Sequence, residues 1–170
     1  HWQDDAWYWK KEATDWGWDW ASEKDKYLHP KYAPVNRYAE DIIGCLNNQV
    51  DGWVDWNMVL DRQGGPNWFK NWCVAPVIVD DKNDEVYFTP LYYVMSHFSK
   101  FMRPGAVKIG CEINNKDLKA TAVQNPDNSI ALVIFNPTEQ SHSIEITVNN
   151  NKSEISIPAK ALQTVVISDK

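Results

Sequence analysis

A chain of 170 residues with 44% hydrophobic content is long enough for one medium domain or two small ones and too apolar for wholesale disorder. Its formal net charge of −6, with no Lys/Arg cluster, argues against nucleic acid and anionic membrane surfaces as main partners, so a neutral ligand fits best. The longest apolar runs, such as Ile130 to Phe135 and Thr164 to Ile167, are far too short to span a membrane.

The chain opens HWQDDAWYW, inside dense aromatic sequence, with no Met, basic n-region or apolar h-region. It is therefore expected to carry no signal peptide of its own and to be part of a longer protein. Trp16-Gly17-Trp18-Asp19-Trp20 alternates large rings with small or polar residues and is expected to form a structured loop over a cleft. After the breakers His29-Pro30 and Ala33-Pro34 the pattern changes. Tyr38, Ile42, Ile43 and Leu46 recur at helical spacing with Pro34 in the first turn, which predicts a helix over 35–48.

Val50 to Met58 reads as a buried strand whose alternation puts Trp53, Asp55 and Asn57 on one side and Val54, Trp56 and Met58 on the other. Trp53, Trp56, Trp68 and Trp72 cluster here around a Gly64-Gly65-Pro66 turn, four of the 10 Trp in the chain. Flat rings with an apolar face and one N–H donor suit a site that grips a sugar face, although packing is the commoner use of any single ring. Val74 to Val79 and Glu85 to Phe88 are expected to form a small separate hairpin sheet. Leu91 to Met102 carries helical spacing through Tyr92, Met95 and Phe98, closed by Arg103-Pro104-Gly105.

From Ala106 onward, segments around 107–113, 118–124, 130–135, 143–148, 153–157 and 163–167 alternate apolar and polar residues, and Asn-rich turns punctuate them. Strands at such spacing predict an antiparallel β-sandwich, with no helix between Leu118 and Ile167. All the Trp residues precede this half. Cys45, Cys73 and Cys111 are widely separated in apolar surroundings and read as small buried hydrophobes, not as a zinc site or a disulfide framework. The histidines lack metal-ligand spacing; neither a metal site nor a cofactor is expected, and there is no phosphate-binding glycine loop or nucleophile elbow. Asn151-Lys152-Ser153 matches the glycosylation pattern, a three-residue match common by chance.

A helix, a strand, an excursion and a second helix follow the rhythm of a (β/α) barrel, whose active sites lie at the C-terminal strand ends. The residues just after Val54 are then the ones to examine. The run DGWVDWNMVLDRQGGPNWFKNWCVAPVIVD, followed by FTPLYYVMSHFSKFMRPGAVKIG, closely resembles the C-terminal region of glycoside hydrolase family 30. That family comprises the lysosomal glucosylceramidases, endo-β-1,6-glucanases and bacterial relatives. The segment WYWKKEATDWGWDWA looks like bacterial members.

The resemblance implies an α+β fragment: the last strand and helices of a (β/α)8 barrel plus an antiparallel β-sandwich side domain. It divides the chain into barrel (1–57), a loop with a small β-hairpin (58–89), the last barrel helix (90–104) and sandwich (105–170). The chemistry implied is retaining β-glycoside hydrolysis, which needs two carboxyl groups about 5–5.5 Å apart. In the family both are glutamates on earlier strands, and neither matches a residue here. Glu12, Glu23 and Glu40 lack the nucleophile context, so no catalytic residue is assigned. Trp56 matches the strand-end tryptophan lining the glycone pocket, and Asn71 and Trp72 match the loop bordering it. Asp55, on the other face, reads as a structural carboxylate.

The implied partner is a carbohydrate or glycolipid, and the implied setting of the intact protein is secreted or periplasmic. One barrel strand with two helices cannot close a barrel, so the remainder of the barrel or self-association is expected to cover its open faces. The competing reading is a non-catalytic carbohydrate-binding or structural β-sandwich module.

Overall fold

The computed structural model describes residues 33–61, 64–66 and 75–168. They fall into two compact units, one holding residues 33–38 and 54–95, the other 39–53 and 96–168, with the division inside each of the two helices. The loop of Trp16, Trp18 and Trp20, and Trp68, Cys73 and Val74, lie outside the described residues.

Helix α1 spans Ala33–Asn47, two residues earlier than expected at its start. Its buried side chains Ala39, Ile42 and Ile43 follow the spacing read from the sequence. The helix ends because Gln49 turns left-handed, with φ of 63°. Val50 N–H then donates to Cys45 O and Gln49 N–H to Leu46 O, the paired reverse bonds that satisfy the last carbonyls.

The buried strand expected over Val50–Met58 does not form. A strand is held by hydrogen-bonded neighbours, and among the described residues this stretch has no ladder partner. Its apolar residues are exposed instead: Val50 at 41%, Val54 at 91% and Met58 at 56%. The period-two alternation nevertheless survives, with Trp53, Asp55 and Asn57 half-buried and Val54, Trp56 and Met58 exposed.

Pairing starts only at β1, Val59–Asp61, which runs parallel to β2, Val77–Asp80; β2 in turn pairs antiparallel with β3, Glu85–Phe88. The hairpin therefore lies in a small sheet separate from those of the second unit, as expected, with β1 as an added third strand. Its β2 edge offers a row of free backbone groups, and β1 takes them up in the register Val59↔Val77. The β2–β3 turn is tied by Asp80, whose buried carboxylate accepts from Lys82 N, Asn83 N and Asn83 Nδ2. After β1, Gly64 adopts φ of 87°, as the expected tight turn requires, and Asp61 Oδ1 accepts from Gly65 N at 2.8 Å.

Helix α2, Pro90–Ser99, starts with proline at its first position and stops earlier than expected. Thr89 precedes it, buried, with its hydroxyl donating to Ala75 O at 2.9 Å. Leu91, Val94 and Phe98 form its buried stripe.

The second unit carries the sandwich. One sheet has the order β4-β5-β6-β9, with β4 at Val107–Lys108, β5 at Lys119–Gln124, β6 at Ile130–Asn136 and β9 at Ala161–Ile167. The other pairs β7, His142–Val148, with β8, Asn151–Ile157. All of these pairings are antiparallel, and no helix occurs between Leu118 and Ile167. The strand expected over 107–113 pairs only at its first two residues.

Alternate residues Ala120, Ala122, Leu132 and Ile134 of one sheet pack with Ile144, Ile146, Ile155 and Ile157 of the other. β6 is buried on both faces, since Ala131, Val133 and Phe135 are also enclosed. Against this four-stranded sheet lie the helix ends of the same unit: Asn47 Nδ2 donates to Ala120 O at 2.9 Å, and His97 Nδ1 lies 2.9 Å from Thr164 Oγ1. Asn149 and Asn150, with φ of 49° and 66°, make the left-handed two-residue turn between β7 and β8.

Candidate functional site

The stretch Trp53–Asn57 was singled out from its sequence, and its two faces behave differently. On the half-buried face Asp55 is held firmly. Tyr38 Oη, from α1, lies 3.0 Å from both Asp55 carboxylate oxygens, and Trp56 N–H donates to Asp55 Oδ1 at 2.8 Å. The structural role expected for Asp55 therefore has a physical basis. In the second unit Trp53 Nε1 donates to Asp41 Oδ2 at 2.7 Å, a charge-assisted bond that makes this ring part of the framework.

Trp56 faces the other way, with its side chain 68% exposed. An indole so exposed contributes little to the core and presents a flat apolar surface to solvent. Asn71 and Trp72, the other two expected site residues, lie outside the described residues, so the structure does not bring them to Trp56 or separate them from it.

The carboxylates examined as possible nucleophiles gain no support. Glu40 forms an ion pair with Lys119 at 3.0 Å, both side chains almost half exposed, while Glu12 and Glu23 lie outside the described residues. Among the described residues no group of three or more His, Cys, Asp or Glu could hold a metal ion. Cys45 and Cys111 are free thiols, half-buried where full burial was expected. Burial pushes the Cys111 thiol above its ordinary pKa, with Lys108 opposing, so it is a poor nucleophile at neutral pH. No helix of the described residues is long and apolar enough to cross a membrane.

Sequence reasoning missed Tyr38 as part of this arrangement. It was read as one of the apolar-face residues of α1, which its spacing supports. The available signal was its hydroxyl, since a partly buried tyrosine usually finds a polar partner. Nothing local points to Asp55, 17 positions away.

Among known families, the Glycosyl hydrolase family 30 TIM-barrel domain matches residues 13–102, more than half of the chain. The chain belongs to glycosyl hydrolase family 30. The family's beta sandwich domain matches residues 105–165, in agreement with the two antiparallel sheets found there. The chain thus combines the C-terminal part of the family 30 barrel with its sandwich. Lysosomal acid glucosylceramidase of Mus musculus is 36% identical over 115 residues, covering 67% of this chain and 22% of that protein. Endo-1,6-beta-D-glucanase neg1 of Aspergillus fumigatus is 26% identical over 145 residues, covering 81% of this chain and 30% of that protein. Among solved structures, SrfJ from Salmonella typhimurium superposes with a TM-score of 0.80 at 26% identity, over 83% of this chain and 32% of its own. The chain spans 22% and 30% of the length of the curated relatives named here.

Proposed function

We propose that this chain contributes one wall of the glycone pocket in a retaining β-glycoside hydrolase that acts on β-glucosides. The observation that carries the reading is Trp56: an exposed indole on a framework held by Asp55, inside the span that matches the family 30 barrel. In this reading Trp56 stacks on or walls the sugar, Asn71 supplies a polar contact or orients a neighbour, and Trp72 borders the pocket. The relatives' names, a glucosylceramidase and an endo-1,6-beta-D-glucanase, support a glucoside as the substrate class. The substrate is therefore a β-glucoside, either glycolipid or β-1,6-glucan, met outside the cytoplasm or in the periplasm.

The two glutamates that a retaining mechanism requires match no residue of this chain, so the chain alone does not turn over substrate. The sandwich is a supporting domain in this reading. It holds none of the chain's Trp residues, whereas a sugar-binding sandwich would present such rings.

Hydrolysis of an aryl β-glucoside tests both parts. The purified chain gives only background, and in an active protein containing it Trp56→Ala lowers kcat/KM by about 2–4 kcal/mol without unfolding. Turnover by the chain alone that disappears on changing Glu12, Glu23 or Glu40 to Gln would refute the catalytic assignment. A fully active Trp56→Ala protein would refute the pocket.

A further inference from the structure

The edge of a β-sheet presents a row of unpaired N–H and C=O groups, and natural sequences blunt it with short strands, charges, prolines or bulges. Most edge strands among the described residues are blunted in this way. β4 has two residues; β1 has three and ends on Asp61, and β3 has four and starts with Glu85. β7 carries Glu145, and β8 carries Lys152 and Glu154. β9 is the exception.

The 7 residues of β9, Ala161–Ile167, include no charged residue, proline or glycine. Its ladder to β6 runs through all of them without a skipped residue, so no bulge bends the strand away from a neighbour. β9 closes the four-stranded sheet, with β6 as its one ladder neighbour among the described residues. An antiparallel edge strand turns about half of its backbone groups outward, and among the described residues nothing bonds those of β9. Val166 is 50% exposed, whereas β6 in the interior of the same sheet is buried almost throughout.

Such an edge recognises another extended, uncharged strand, because the backbone supplies the bonds and no side chain repels the approach. β9 matches its own reverse. In an antiparallel pair centred on Thr164, Leu162 lies across from Val166 and Gln163 from Val165, and no charge meets another. A two-fold axis pairs both edges at once and closes the assembly, since each copy has then used its edge. We propose that β9 is the edge through which a second copy of this chain docks, antiparallel and strand against strand, so that the two four-stranded sheets become one continuous sheet. The surface belongs to the second unit, and the inference does not depend on the pocket reading of Trp56.

The test is sedimentation equilibrium of the purified chain over a wide concentration range, with far-UV circular dichroism to check folding. A monomer–dimer equilibrium is expected. Val166→Lys puts a charge at an exposed position of the edge strand in both copies and raises the dimer dissociation constant about tenfold. Val107→Lys, on the short edge strand β4 where the valine is 65% exposed, leaves the constant unchanged, as does Val86→Lys on β3 of the first unit, 56% exposed. Hydrogen exchange supplies a second measurement on the unaltered chain: alternate amides of β9 gain protection as concentration rises, and those of β4 do not.

A chain that stays monomeric at every concentration overturns the proposal. So does association that Val166→Lys leaves intact, or that Val107→Lys or Val86→Lys weakens as strongly, since the contact then lies elsewhere. Species larger than a dimer also overturn it, because one partner uses up a two-fold edge. If Val166→Lys does not fold, the concentration dependence of exchange at β9 decides the question.

Discussion

Trp53 and Trp56 sit three residues apart in one extended stretch, and their faces predict opposite behaviour on substitution. Trp53→Phe keeps most of the ring but deletes Nε1–H, which donates to Asp41 Oδ2 at 2.7 Å. A hydrogen bond to a charged group contributes about 1.5–3 kcal/mol, and both partners are only half-buried, so the lower end applies. Loss of about 1.5 kcal/mol is expected, a Tm decrease of roughly 3–6 °C for a chain of this size. Trp53→Ala removes ring contacts as well and reaches about 3 kcal/mol, the low end for buried aromatic truncations because this ring is partly exposed. Trp56→Phe, at 68% exposure, is expected to change stability by less than about 0.5 kcal/mol. Chemical denaturation of the purified variants, followed by far-UV circular dichroism, measures all three. Asp41→Asn alone and with Trp53→Phe completes the cycle, and the double variant should cost little more than either single one. If Trp56→Phe destabilises more than Trp53→Phe, the facing of this stretch is reversed and the pocket belongs to Trp53 and Asp55.

Two further outcomes are expected of the second unit. Asn136 is fully buried with every polar valence used: Nδ2 donates to Gln140 O and Pro158 O at 2.7 Å each, and Oδ1 accepts from Thr138 N and Oγ1. Asn136→Ala should cost about 2–4 kcal/mol in denaturation, since it leaves buried groups without partners. His97 is half-buried beside Thr164, and burial lowers its pKa. The unfolded chain therefore takes up the proton first, so His97's contribution is intact above the ordinary value of about 6.5 and lost as pH falls from there toward the folded pKa. His97→Gln should flatten the stability–pH profile in that acidic range; an unchanged slope would show that His97 does not titrate differently on folding.

Periodicity made much of this fold legible. The 3.6-residue stripe of α1 and the alternation of β5 to β9 are local records of which side chains must leave water, and each element was found within a few residues of its expected place. The left-handed turns at Asn149–Asn150 and Gly64 were legible for the same reason, because few residue types tolerate that backbone. Even the alternation across Trp53–Met58 was correct where the strand was not.

What the sequence could not decide is pairing, because a hydrogen-bond ladder depends on a neighbour and not on the strand's own pattern. Val50–Met58 has the texture of a buried strand and no partner among the described residues, while the shorter Val59–Asp61 pairs because β2 presents an open edge to it. The polar contacts of the candidate site belong to the same class. Asp55 and Trp56 were chosen from their place in the chain, but that Tyr38 lies against Asp55 in the first unit, and that Asp41 holds the ring of Trp53 in the second, follows only from the fold of each unit. Side-chain partners 12 and 17 residues apart leave no periodic trace, and only the folded chain brings them within hydrogen-bonding distance.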